Sequence, residues 1–97
     1  MQTCQLSISN TLGLHARAAA KFVHQAGTFR AQIRVARGDR EVDGKSIMGL
    51  LLLAAAQGSA IRISADGPDE AEALASLCAL VERGFDEGAA DRTVSRT

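Results

Sequence analysis

Between residues 3 and 9 apolar and polar side chains alternate, with Cys4, Leu6 and Ile8 on one side and Thr3, Gln5, Ser7 and Ser9 on the other. A period of two predicts a strand with one buried face. The period then changes. Ala16, Ala19, Phe22, Val23 and Ala26 recur at helical spacing, which predicts a helix over residues 16–25 with Gly27 placed to end it. Alternation returns over residues 31–37, where Ile33 and Val35 face inward and Gln32 and Arg34 outward. Gly38-Asp39 reads as a hairpin turn into a short third strand over residues 40–43. Ser46 is a good N-cap for an apolar helix over residues 47–57, with Gly58 to end it. Ile61, Ile63 and Ala65 alternate with Arg62 and Ser64 in a fourth strand. Asp66-Gly67-Pro68 turns the chain into a last helix, with Pro68 near its first position and Asp69 and Glu70 complementing its dipole. The buried stripe of that helix is expected to be Ala71, Leu74, Cys78, Val81 and Phe85. From Asp86 onward the chain is polar and is expected to fray.

The order βαββαβα defines one α+β domain over residues 1–88, followed by a frayed tail over residues 89–97. Three of the strands carry a uniformly polar outer face, so all three helices are expected to cover one side of the sheet while the other meets water. The pattern leaves the strand order open. With 97 residues there is room for a single core, and the only aromatics are Phe22, Phe29 and Phe85, so that core is aliphatic. Formal net charge is zero, which disfavours non-specific nucleic-acid binding. The longest apolar run, residues 47–56, is too short to span a bilayer, and residues 1–11 contain no apolar segment of the kind a signal peptide needs. A cytoplasmic location without membrane insertion is the expectation. Cys4 and Cys78 lack metal-site spacing and are expected to be small core hydrophobes rather than a disulfide. Neither a metal nor a cofactor is expected.

The chemistry concentrates in Asn10-Thr11-Leu12-Gly13-Leu14-His15-Ala16-Arg17-Ala18-Ala19-Ala20. This stretch begins as a turn and ends as strong helix formers, so a helix starts at His15 or Ala16. A histidine there has its ring beside unpaired backbone N–H groups of partial positive charge. Arg17 adds a permanently charged fork suited to phosphate oxygens. Imidazole titrates near pH ~6.5, so around neutrality much of it is the unprotonated nucleophile. A nucleophilic nitrogen, an anion site and a guanidinium converge within three residues, which suits a histidine that carries a phosphoryl group. The phosphoramidate so formed is a far better donor than a phosphoserine ester, as a reversible relay requires.

Gly13-Leu14-His15-Ala16-Arg17 resembles the active-site signature of the HPr family, the histidine-containing phosphocarriers of the bacterial phosphotransferase system. Lys45-Ser46-Ile47-Met48-Gly49 resembles the same family's regulatory serine region, at the matching separation, and the strand and helix patterns agree over nearly the whole chain. The resemblance implies an open-faced β-sandwich with an antiparallel sheet in the order 1-4-2-3. It implies a carrier rather than an enzyme, which accepts a phosphoryl group from phosphorylated enzyme I on Nδ1 of His15 and passes it to a histidine of an enzyme IIA domain. Arg17 and the helix N-terminus would balance the charge. Ser46 has two compatible readings: a helix cap contributing about 1 kcal/mol, and, by resemblance, the target of the HPr kinase/phosphorylase.

The reactive histidine must be exposed to two proteins, so a docking surface rather than a deep pocket is expected. Ala16, Ala20, Ile47, Met48 and Leu51 are the residues assigned to it, with core packing as the competing reading for Met48 and Leu51. A monomer is expected. The chain departs from the family where Ala18 replaces the usual proline, and where His24, Gly27 and Gly49 stand in place of basic residues common on the docking face. His24 is expected to be a plain surface residue. The ending Arg83-Gly84-Phe85-Asp86-Glu87 looks more like the nitrogen-branch relatives, the NPr proteins, whereas Lys45-Ser46-Ile47-Met48 looks more like kinase-regulated HPr. Of other classes, an acylphosphatase-like enzyme would need Asn10 to orient a water, and an RNA-binding sheet would need aromatics on its outer face.

Overall fold

The computed structural model of the chain describes residues 1–87. Four strands, β1 (Gln2–Ser7), β2 (Gln32–Arg37), β3 (Arg40–Asp43) and β4 (Ala60–Asp66), alternate with helices α1 (Ala16–Ala26), α2 (Ile47–Leu53) and α3 (Glu70–Glu82). The strands form one antiparallel sheet in the order β1-β4-β2-β3. The alternation that predicted β1, β2 and β4 matches their register. Cys4 faces Ile63 across β1 and β4, and Val35 faces Ile63 across β2 and β4, so the apolar positions line one face. That face and the three helices enclose a core of aliphatic side chains with Phe22 and Phe85, each about 1% exposed or less.

Within this frame several boundaries and faces differ from the sequence pattern. β1 ends at Ser7, leaving Ile8 buried just beyond it and Ser9 in the following loop. On α1 the buried residues are Ala18, Ala19, Phe22 and Ala26, whereas Ala16, expected in the stripe, is exposed at the first helical position. The first helical residue faces outward, and burial begins at Ala18 and Ala19.

The largest change is in α2, which stops at Leu53 instead of residue 57. Ala54 takes a left-handed conformation (φ 51°), and the next residues pair with the loop after β1. Leu14 donates its N–H to the Ala55 carbonyl at 2.9 Å, Gly58 donates to Ile8 at 2.8 Å, and Ile8 donates to Ser59 at 2.9 Å. These bonds satisfy backbone groups that a continued helix would have used itself, so tertiary pairing overrides local helix propensity. Gly58 consequently sits in the turn before β4 (φ 89°) rather than at the helix end.

α3 buries Ala73, Leu74, Leu77, Leu80 and Val81; Ala71 is exposed and Cys78 only half-buried. Both cysteines are free thiols. Burial, together with the neighbouring Cys4 thiol, pushes Cys78 up to about 12. Pro68 precedes the helix by two positions, and Asp69 occupies the N-cap without capping. Its carboxylate reaches across to accept the backbone N–H groups of Arg30 and Ala31, both at 2.8 Å, clasping the start of β2 to the start of α3. The Arg30 N–H, against a smaller opposing effect of burial, holds that carboxyl below its ordinary range.

Asp86 and Glu87, where fraying was expected to begin, are held in place. Gly84–Asp86 forms a 3₁₀ turn that buries Phe85 completely, and Lys21 donates to the Phe85 carbonyl at 2.9 Å. Gly84 has φ 66°, which lets the chain reverse after α3 and bring Phe85 back to the core. Asp86 pairs with Arg83 at 2.7 Å, and Glu87 is carried toward the loop after β1. The expected tail over residues 89–97 lies outside the described residues.

Candidate functional site

The loop of residues 8–15 is held from below by its backbone bonds to residues 55–59, and from within by Asn10. The Asn10 amide donates to the Gly13 carbonyl at 2.8 Å, and Gly13 takes a positive φ of 66° that few other residues accept. This sharp reversal delivers His15 to the N-cap of α1 with extended backbone angles (φ −85°, ψ −178°). Its carbonyl accepts the N–H of Ala19 at 2.8 Å, the first turn of the helix.

The imidazole itself is oriented from both sides. Nδ1 accepts the backbone N–H of Arg17 at 3.3 Å, so this nitrogen faces the helix N-terminus. Nε2 is engaged by the Glu87 carboxylate. The other oxygen of that carboxylate accepts the Asn10 amide at 2.8 Å. Burial pushes the Glu87 carboxyl up, but the Asn10 amide, the His15 ring and the Lys21 ammonium outweigh it and hold the group below its ordinary value. A carboxylate can only accept, so it requires the proton on Nε2. Nδ1 is then the ring nitrogen with a free lone pair, consistent with its acceptance of the Arg17 N–H.

The ring remains about a quarter exposed. Arg17, exposed and bonded to the ring through its backbone N–H, lines with Asn10, Lys21, Arg83 and Glu87 a shallow cleft of about 380 Å³ that His15 itself does not line. The arrangement can present a nucleophilic nitrogen at an exposed position and receive an anion against backbone N–H groups and a guanidinium.

Residues assigned to docking fall around this point. Ala16 and Ala20 are exposed on α1, and α2 packs beside α1 with Ile47 and Met48 exposed. Met48 is 67% exposed, so it is a surface residue rather than core. Leu51 is half-buried against the core, while Leu12 and Leu52, which the pattern did not single out, are 67% and 60% exposed. Ser46 caps α2, its Oγ accepting the Gly49 N–H at 3.0 Å. His24 is exposed in the last turn of α1. Glu87 and the structural use of Asn10 were not legible as site features. The one available signal for Glu87 was an apolar anchor, Phe85, two residues before it in a chain segment that otherwise looks like a tail.

An open-faced antiparallel sandwich that offers one oriented, partly exposed imidazole at a helix N-terminus defines a small histidine-presenting protein. The family model for the PTS HPr component phosphorylation site matches residues 2–83. A phosphocarrier protein HPr of Cupriavidus necator is 51% identical over 82 residues, covering 84% of this chain and 92% of the relative. A phosphocarrier protein NPr of Shewanella violacea is 42% identical over 83 residues, 86% of this chain and 91% of that one. A crystal structure of HPr from Thermoanaerobacter tengcongensis superposes with a TM-score of 0.87 at 44% identity, covering 90% of this chain and 98% of that one. The chain belongs to the HPr family of phosphocarrier proteins of the phosphotransferase system.

Proposed function

We propose that this carrier takes a phosphoryl group on Nδ1 of His15 from phosphorylated enzyme I and passes it to a histidine of an enzyme IIA domain. The observation that supports this most is the pairing of the ring. Nε2 is occupied by Glu87, and Nδ1 is left as an acceptor beside the Arg17 N–H at an exposed helix start. A phosphoryl group on Nδ1 would meet first-turn N–H groups and the Arg17 guanidinium, which offset its charge. No helix among the described residues is long and apolar enough to cross a membrane, and the proposed relay runs between proteins in the cytoplasm. Asn10 speaks against the acylphosphatase reading, because its amide hydrogens are taken by Gly13 and Glu87 and its Oδ1 is buried, which leaves no exposed polar atom to orient a water.

Incubation with phosphoenolpyruvate and the purified enzyme I of each branch tests the reading and assigns the branch. Label from the sugar-system enzyme makes this a sugar-branch carrier, label from the nitrogen-system enzyme an NPr-type regulator, and label from neither overturns the proposal. Arg17→Lys keeps the charge but loses the planar fork, so transfer is expected to slow roughly tenfold or more with little change in melting temperature. Transfer at the wild-type rate in both directions would take the guanidinium out of the mechanism.

Ser46 is proposed as a regulatory position for the HPr kinase/phosphorylase as well as a cap. An aspartate at Ser46 can take the same Gly49 N–H, so Ser46→Asp is expected to melt near the wild type. Its charge sits beside exposed Ile47 and Met48, where entry into an apolar partner surface would be costly. Binding to enzyme I should therefore weaken. Ser46→Ala should bind normally and lose about 1 kcal/mol of stability with the cap. Equal affinity of Ser46→Asp and wild type, measured by titration calorimetry, would reduce Ser46 to a cap.

A further inference from the structure

We propose that Glu87 is the positioning residue of this site. Its carboxylate holds the Nε2–H of His15, directs the Nδ1 lone pair to the helix N-terminus, and faces the positive charge that forms on the ring during transfer. The inference rests on His15 being the phosphoryl acceptor, but it has a readout of its own that needs no phosphate.

Three features of the structure lead to it. The carboxylate is aimed, because one oxygen is fixed by the Asn10 amide at 2.8 Å and the other engages Nε2. It is largely withdrawn from solvent, with a side chain 15% exposed, which strengthens its field at the ring. It is also rigidly delivered: Phe85 is fully buried two residues earlier, and Lys21 ties the Phe85 carbonyl to α1, the helix that His15 caps. Of the charged groups in the same cleft, Lys21 on α1 and Arg17 oppose the charge of this carboxylate and Glu82 shares its sign, while Arg83 is engaged with Asp86.

The chemistry gives this geometry a purpose. Nδ1 donates its lone pair to phosphorus as the N–P bond of the donor phosphohistidine breaks, and the donor imidazole keeps that electron pair. The proton on Nε2 of His15 stays where it is. The ring therefore passes from neutral imidazole to a cationic N-phosphoimidazolium, and in the onward step returns to neutral imidazole. A fixed carboxylate on Nε2–H stabilises the cationic form in both steps and prevents the tautomer in which Nδ1 carries the proton and cannot attack.

The test uses the full chain with ¹⁵N-labelled histidine, as wild type, Glu87→Ala and Glu87→Gln. At about pH 8, above the ordinary range of imidazole, the wild-type ring should show a protonated-type Nε2 and an unprotonated-type Nδ1. In Glu87→Ala the two ¹⁵N shifts should move toward each other as the tautomers mix. Glu87→Gln keeps the size but has no charge, and its single carbonyl oxygen faces two N–H donors. In both variants kcat for phosphoryl uptake from enzyme I should fall about tenfold, with KM for enzyme I changed by less than about twofold. A residue that merely tied down the C-terminal turn would lower the melting temperature and leave the ring shifts and kcat alone. Wild-type ring shifts in Glu87→Ala, or wild-type kcat in both variants, would overturn the proposal. Failure of His15 as acceptor would instead show as label persisting in His15→Ala, so the two failures are distinguishable.

Discussion

His15→Ala is expected to take no label from phosphorylated enzyme I under conditions that label the wild type fully. The imidazole is the only nucleophilic side chain presented at the start of α1, and the other histidine, His24, lies in the last turn of the same helix away from Asn10, Arg17 and Glu87. The fold should survive. The ring is partly exposed, and its contacts are one N–H of the first turn and the Glu87 carboxylate, which keeps its bond to Asn10. Losing an N-cap acceptor costs about 1 kcal/mol, which for a domain of this size lowers the melting temperature by roughly 4–8 °C. Label on the wild type should be lost in acid and retained in alkali, as a phosphoramidate requires. The same label on His15→Ala, measured with radioactive phosphoenolpyruvate, would move the acceptor to another residue.

Gly13→Ala is expected to damage both stability and transfer far more than its single added methyl group suggests. Gly13 has φ 66°, and a Cβ there would lie 2.6 Å from the Ala55 carbonyl oxygen and 2.9 Å from the Ala56 Cα. Both are backbone atoms, and Ala55 is held in place by the Leu14 N–H. A left-handed non-glycine residue costs roughly 1–2 kcal/mol, and forced overpacking about 1–3 kcal/mol more. Together these amount to a melting temperature lower by more than ~10 °C. The displaced loop carries Asn10 and His15, so the ring should also leave its partners and transfer should slow. Gly38→Ala is the control: its φ is 63°, but a Cβ would meet nothing within 4 Å. It should suffer the backbone strain alone and transfer normally. Equal melting temperatures for the two variants would mean that the loop does not pack on the end of α2 as described.

These two positions divide what could be read locally from what could not. The placing of His15 and Arg17 at a helix start was legible because it depends on neighbours within a turn: Gly13 makes the reversal, and the alanine run makes the helix whose N-terminus the ring caps. The strands were legible for the same reason, since alternation over six or seven residues reports a buried face directly. Ser46 was read as a cap from its place before an apolar run, and its hydroxyl does accept the N–H of Gly49.

Contacts between distant residues decided the rest. Residues 54–57 have the composition of a helix, but the backbone of residues 8–14 offers them better partners, and α2 ends early. Which of Ala16 and Ala18 is buried depends on how α1 packs against α2 and α3, not on their spacing, which serves either face. Glu87 lies 72 residues from His15, in a polar segment that by itself has no reason to be ordered. Only the burial of Phe85, allowed by the reversal at Gly84, brings its carboxylate to the imidazole. The order of elements, and the placing of a histidine at the start of α1 with an arginine two residues on, could be read from the chain because each is a short-range property of it. The tertiary structure decided which ring nitrogen is free and what holds it, because a hydrogen bond between remote groups exists only once the core has fixed both ends.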